Sequence, residues 1–499
     1  MMTSILLPLL ILNYISIIIN DIYYYQSDNY HYRIFKHLLK KDLISRIYNY
    51  FLLIFVPFTN NLVIQLILIC YCLISMILNT KEKNYKKIKK TKRIKRLSFI
   101  YITFILISLF SKYRIPLLLL ITIIHLILSL LIFIISSFVE QLLMKRYYIK
   151  AKKKVNKYKP IIIAITGSCG KTSVKNYIYT SMKNEYMVYK SPKSYNTLKG
   201  LSITINEYLN HYNSIFILEM GLSHKNDIKK ITKYFKPNIS IITEILPSHL
   251  ETMKSINNII DEKMQIIKNM QSNGLIIINN DNEQIKNNID KYNINNNKIV
   301  KIGINKENDI YATNIEIKKD GLALNIIDQK KNIKIQNSLL GKHNIYNLLI
   351  TYAVLNQFDI SHEKLNDLQS YENRLEIKKY NQMTILNDSY NSNINGFKNA
   401  LDVLSLYETP KYIITPGIVE LGRISKDTIY EIGDKIVKIC DFCYLIDNKN
   451  TQFFIEKFNE KKYKNFKVKK TFLDAFNEVK NMEITLLIEN DLTDFYFIK

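Results

Sequence analysis

A chain of 499 residues with 70 Lys and Arg against 43 Asp and Glu carries a formal net charge of +27, and its length suggests two to four domains. The charge does not point to nucleic acid, because the densest basic runs flank apolar segments, as at a membrane surface, instead of lining a folded domain. Five cysteines, Cys70, Cys72, Cys169, Cys440 and Cys443, imply no disulfide framework and fit a reducing compartment.

Residues 1–150 are unlike the rest. Apolar segments lie at 3–20, 51–79, 98–112 and 115–139. The first and last are long enough to span a bilayer. The second exceeds one span and is interrupted by "PFTNN". The third is short, and "SKYRIP" separates it from the fourth, which predicts a hairpin. A cleaved signal peptide at 3–20 would need a basic start and a small-residue cleavage site, and neither is present. The basic runs 81–96 and 145–159 belong on the cytoplasmic side, and about three to five crossings satisfy them. The expectation is a multi-pass helical region, 1–150, in the cell membrane, with the remaining domains cytoplasmic. A fragment starting near Lys152 is then expected to be soluble.

From residue 158 apolar strands alternate with amphipathic helices: "KPIIIAIT", "SIFILEMG", "ISIITEI", "GLIIINND" and "KIVKIGI". That alternation predicts a parallel, doubly wound α/β sheet of P-loop type. A polar stretch covers 283–300, residues 310–339 alternate with period two and read as antiparallel hairpins, and 341–358 reads as a helix. A smaller α/β unit begins near "YENRLEIKKY", which places domains at 151–365 and 366–499. "CDFC" at 440–443 reads as core residues of a strand "IVKICDFCYLID", since a zinc site would need further ligands nearby.

Two of only 12 glycines fall in "AITGSCGKTS". A buried strand, a turn on Gly167 and Gly170, then Lys171, Thr172, Ser173 and a helix make a phosphate cradle, in which backbone N–H groups and the helix start face an anion. Its spacing is G-x-x-G-K-T, with Ile165 where the common Walker motif has glycine. Glu219 ends a strand and suits a second Mg²⁺ ligand beside the Thr172 hydroxyl. His249 follows another strand, and Lys263 lies 14 residues later on a helix.

These segments resemble the Mur ligase family, most of all its D-alanyl-D-alanine-adding branch. The resemblance covers about 158–425 and rests on "TGSCGKTS", "SPKSYNTLKGLSITI", "LEMGLSHKNDI", "PSHLE", "GKHNIYN", "NRLE", "NDSYNSN" and "PGIVELG", in that order. It implies that Gly167, Ser168, Gly170, Lys171, Thr172 and Ser173 hold ATP phosphates. It implies one Mg²⁺ on Thr172 and Glu219, a second on His249, and a lysine at 263 carbamylated by CO₂ that supports metal. Asn347 would read adenine, Arg374 would reach the nucleotide from the C-terminal domain, and Asp388, Tyr390 and Asn391 would close over it. Asn196 and His224 would face substrate. The plainer alternatives are a solvated charge at Lys263, a capping Asn196, a turn at His224 and an ordinary β-turn at 388–391.

The implied chemistry is ATP-dependent amide formation: a carboxylate takes phosphate to give an acyl-phosphate, and an amine displaces it. Charge neutralisation dominates such a site. The chain departs from the family at Ile394, where proline is usual, and at its start, where apolar segments stand in place of a UDP-sugar domain. Three readings follow. One is a membrane-anchored ligase of peptidoglycan precursors, with a soluble or lipid-linked acid acceptor, an amine donor and other cell-wall enzymes as partners. The second is a ligase of another acid, such as a polyglutamate-type polymer. The third is a non-catalytic nucleotide-binding scaffold.

Overall fold

The computed structural model describes residues 2–27, 63–64, 66–70, 72–73, 90–123, 125–192, 195–212, 214–247, 250–292, 297–329, 331–390, 393–418, 425–448 and 450–490. Contacts divide the chain into Met1–Lys145 and Arg146–Tyr496.

The first unit is helical among its described residues: Met2–Ser27, Lys92–Phe110, Arg114–Ile123 and the start of His125–Tyr158. The turn at 111–113 falls where the hairpin was expected. Its interior is apolar, with Leu6, Leu10, Leu68, Cys72 and Leu118 in one cluster. Against that background Asp21 Oδ2 lies 2.9 Å from His125 Nε2. Among the described residues one stretch, Ile5–Tyr23, is long and apolar enough to cross a bilayer. Most of 51–79 lies outside the described residues, and 115–139 is covered by parts of two helices. Among the described residues, one helix thus supports the expected multi-pass topology.

The second unit holds two sheets. The first has nine strands in the order β2-β3-β1-β4-β5-β6-β7-β8-β9. They are β1 (Ile161–Thr166), β2 (Val188–Lys190), β3 (Ile215–Glu219), β4 (Ile239–Ile242), β5 (Leu275–Asn279), β6 (Lys298–Gly303), β7 (Ile310–Lys318), β8 (Gly321–Asp328) and β9 (Lys331–Asn337). Runs such as "IIIAIT" and "LIIIN" are buried almost throughout, as strands covered on both faces must be. β1 pairs in parallel with both β3 and β4. The strand order therefore reverses at β1, and the loop after it opens at the carboxyl edge where open α/β sheets bind ligands. The sheet is not wholly parallel. β7 joins β6 in parallel through two residue pairs, and β7, β8 and β9 then run antiparallel. The expected hairpins thus extend the sheet. The polar stretch 283–300 contains two short helical turns and the start of β6.

The second sheet has six strands, β10 (Glu376–Tyr380), β11 (Met383–Asp388), β12 (Lys411–Thr415), β13 (Phe442–Ile446), β14 (Phe466–Lys469) and β15 (Thr485–Glu489), ordered β10-β11-β15-β12-β13-β14. The strand expected over 436–447 is half helix: Ser425–Ile439 is helical, Cys440 follows it, and only Cys443 of the two cysteines lies in β13. All five cysteines are free.

The helix His125–Tyr158 matters to the second unit. Ala151 is fully buried in its core, with Val155 and Tyr158 packed against the same cluster. Lys154 Nζ donates to the Asn206 and Leu209 carbonyls at 2.7 and 2.9 Å. A fragment starting at Lys152 would remove Ala151 and expose that core, so the sequence-based cut is misplaced.

Candidate functional site

The loop after β1 has the geometry its glycines predict. Gly170 caps the helix Lys171–Met182 in a left-handed conformation, φ +76°, and a Cβ there would lie 2.7 Å from Asn347 Oδ1. Gly167 passes so close to Thr243 Oγ1 that no side chain fits. Ser168 ties the loop to the β4 side, donating its N–H to the Glu244 carbonyl at 2.6 Å and accepting from Leu246 N at 2.9 Å. Lys171 Nζ curls over the loop to the Gly167 and Ser168 carbonyls, 2.6 and 3.2 Å away. Burial lowers its pKa, with Glu219 and Cys169 opposing.

On the β3 side, Thr172 Oγ1 donates to Glu219 Oε2 at 3.1 Å, as the motif predicts. Lys175 Nζ reaches the same oxygen at 2.8 Å, in an ion pair almost closed to solvent. Burial pushes the Glu219 carboxyl up, but Lys175 and Lys171 outweigh it and hold it below the usual range. Sequence reasoning missed Lys175. Its spacing of four from Lys171 places both on one helix face, and that was the available signal.

On the β4 side, Lys263 lies on the helix Ile256–Lys268, 2% exposed. No hydrogen bond or ion pair reaches it among the described residues. Burial, reinforced by Lys171, holds its pKa well below that of a free lysine. The solvated-charge alternative is therefore wrong. Its neighbour Glu262 accepts from Asn226, Ile228 and Lys229 N–H groups at 2.7, 2.8 and 3.2 Å, capping the helix Asp227–Tyr234. His249 lies outside the described residues, so its expected place beside Lys263 is not described.

A cleft of about 280 Å³ opens beside the loop and takes walls from both sheets. Gly170, Ser173 and Asn347 line one side, and Arg374 and Asp388 the other. Arg374 sits between Asn373 and Leu375 at φ +60° and +48°, a strained turn that aims its guanidinium. It stacks 4.2 Å over the Tyr390 ring. Asp388 accepts from Leu375 N at 3.2 Å, and burial pushes its carboxyl up to about 6 against the Arg374 charge. Asn347 Nδ2 is held by Asn344 Oδ1 at 2.9 Å. His343 also lines the cleft. Burial lowers it to about 4 and its Nδ1 has no partner among the described residues. Asn391 lies outside the described residues.

Two expected residues stand elsewhere. His224 is exposed in a turn where its N–H meets Asp227 Oδ2 at 2.7 Å. Asn196 packs on Gly221 beyond the end of β3. The helix cap there is Thr197, which accepts from Gly200 N at 3.2 Å, so the capping role is not that of Asn196. Cleft residues that sequence reasoning missed include Glu244, Asn279, Lys342 and Tyr346.

The donor set suits a polyphosphate and a hard cation. Lys171 and Arg374 are cationic, and Thr172 and Glu219 offer oxygen ligands. Among the described residues no group of three His, Cys, Asp or Glu side chains gathers. An unmodified ammonium at Lys263 does not fit a metal, whereas a carbamate there would.

The sequence model of the Mur ligase middle domain matches residues 165–355. The chain is 33% identical over 282 residues to the UDP-N-acetylmuramoyl-tripeptide–D-alanyl-D-alanine ligase of Buchnera aphidicola subsp. Baizongia pistaciae, covering 55% of this chain and 60% of that protein. It is 28% identical over 290 residues to the ligase of the same name from Bacillus subtilis, covering 56% and 62%. Among solved structures it is similar to the MurF ligase of Thermotoga maritima in complex with ADP, with a TM-score of 0.62, 20% identity and coverage of 70% and 80%. The chain spans about three fifths of the length of these curated relatives.

Proposed function

We propose, for a chain whose residues 165–355 match the Mur ligase middle domain, that it is an ATP-dependent amide-forming ligase joining an amine donor such as D-Ala-D-Ala to a peptidoglycan-precursor carboxylate. The observation that carries this is the meeting of the Gly170–Lys171 loop and Arg374 at one cleft between two sheets. We keep the division into 1–150, 151–365 and 366–499 except that the first boundary moves back to 145/146, ahead of Tyr147 and its bond to Asn206. The loop amides and Lys171 hold the β/γ-phosphates, Asn347 lies where adenine is read, and Arg374 with Asp388 and Tyr390 covers the nucleotide and excludes water from an acyl-phosphate. Mg²⁺, when bound, supplies charge neutralisation for phosphoryl transfer. Thr172 and Glu219 would hold it, with His249 toward a second ion.

Lys263 fits the carbamylated lysine. Burial favours the neutral form of this amine, and in that form it attacks CO₂, forming an N–C bond and releasing a proton, so the product is an anion beside Lys171 in place of a second cation. The test is phosphate release by the full chain given Mg·ATP, UDP-MurNAc-tripeptide and D-Ala-D-Ala. Lys263→Ala should lose that activity and regain part of it in acetate. Release independent of both substrates would reject the ligase.

Residues 1–145 serve as a membrane anchor in this proposal. Support comes from Ile5–Tyr23 and from outward apolar side chains such as Phe99, Ile107, Phe110 and Phe138, 58–88% exposed. An anchor favours a lipid-linked acceptor through effective concentration. Full-length protein remaining in the soluble fraction without detergent would end the anchor reading. The soluble comparison should begin ahead of Tyr147, whose carbonyl accepts from Asn206 Nδ2 at 3.0 Å.

A further inference from the structure

Among the carboxylates of the site, one is left unexplained. Lys171 and Arg374 suit phosphates, Glu219 is matched by Lys175, and Asp388 faces Arg374. Glu244 has no cation partner among the described residues. It lies just past β4, between the phosphate loop and the start of the helix Ile394–Ser405. Oε2 accepts from the Cys169 thiol at 3.1 Å, and Oε1 accepts from Asn395 Nδ2 at 3.0 Å. These neutral donors orient the carboxylate without cancelling its charge, and each oxygen keeps a second lone pair.

A carboxylate beside an anion-binding loop opposes phosphate binding unless a cation arrives to meet it. The amide-forming reading, on which this inference rests, supplies one. An amine donor reaches the site as an ammonium and must be placed next to the acyl-phosphate before it loses its proton. We infer that Glu244 is the anionic end of the amine-donor subsite. The ligand class is a primary ammonium, seated where the phosphate loop meets the second sheet's helix. Asn395 and Cys169 hold the carboxylate in place, so the subsite is complete only with both sheets together.

The experiment compares full-length wild type with Glu244→Gln and Glu244→Asp, using D-Ala-D-Ala and then hydroxylamine as nucleophile. Hydroxylamine is uncharged at neutral pH and traps acyl-phosphates as hydroxamates. Glu244→Gln should raise KM for D-Ala-D-Ala about tenfold or more, the size of one charge-assisted hydrogen bond. Hydroxamate formation, ADP affinity and the Mg²⁺ requirement should stay at wild-type levels, and Glu244→Asp should restore part of the KM. Equal losses with both nucleophiles would make Glu244 a structural strap between the sheets and overturn the inference. A raised Mg²⁺ requirement would make it a metal ligand and also overturn it, as would an unchanged KM. Absence of hydroxamate from wild type is a separate failure, that of the ligase reading itself.

Discussion

The two sides of the phosphate loop carry buried lysines in opposite circumstances. Toward β3, Lys175 sits 2.8 Å from Glu219, and both are almost closed to solvent. Toward β4, Lys263 is equally buried and meets no partner among the described residues. A paired buried cation completes the charge of its site, and removing it strands a carboxylate. An unpaired one costs stability until it loses its proton or is converted to an anion. The first is therefore read as architecture and the second as a group reserved for chemistry.

The largest expected effect tests the paired side. Lys175→Met should destabilise the fold by about 3–5 kcal/mol, as breaking a buried pair does, and adding Glu219→Leu should recover most of the loss. Denaturant midpoints of the three variants check this, and a neutral Lys175→Met would erase the contrast. Next, Lys171→Ala should weaken Mg·ATP binding by about 1.5–3 kcal/mol, the worth of hydrogen bonds to a charged group, with the fold intact. Calorimetry reads it.

Lys263→Met should change stability by no more than about 1 kcal/mol or increase it, because it removes a desolvated charge. The two sides also differ in the sign of their pH dependence. Glu219 is held below its usual pKa, so its stabilisation is present above the ordinary Glu range and is lost as pH falls through the lowered value. Lys263 is held below 10.5, so its penalty is full below the lowered value and fades as pH rises toward 10.5. In CO₂-free buffer the stability gap between Lys263→Met and wild type should shrink as pH rises. A gap that widens would mean that Lys263 is paired after all. The smallest effect sits across the cleft. Asp388 is raised from 3.8 to about 6, so the folded chain keeps its proton longer and stability should fall as pH rises through that window. Asp388→Asn should flatten that slope.

Much of the paired side was legible in the sequence. "IIIAIT", the two glycines, Lys171, Thr172 and Glu219 follow from local rules of strand, turn and cap. The partners of those residues were not legible. A lone lysine at position 175 or 263 reads as a solvated helix charge until the helix is packed on its sheet, and Glu244 reads as a strand end until Asn395 is brought to it. The misread strand at 436–447 has a similar cause. "IVKI" and "FCYLID" are both apolar, and only packing separates the helix end from β13. Arg374 was found by resemblance, because its strained turn leaves no periodic signal.

The most direct test of amide formation through an acyl-phosphate follows one oxygen atom. The full-length protein is given Mg·ATP, D-Ala-D-Ala and UDP-MurNAc-tripeptide whose terminal carboxylate carries heavy oxygen, and the released phosphate is analysed by mass. We predict that each phosphate carries one heavy oxygen taken from the carboxylate, with stoichiometric amide product. Phosphate carrying oxygen from water instead, at the same rate with or without the tripeptide, would show simple ATP hydrolysis and contradict the assignment.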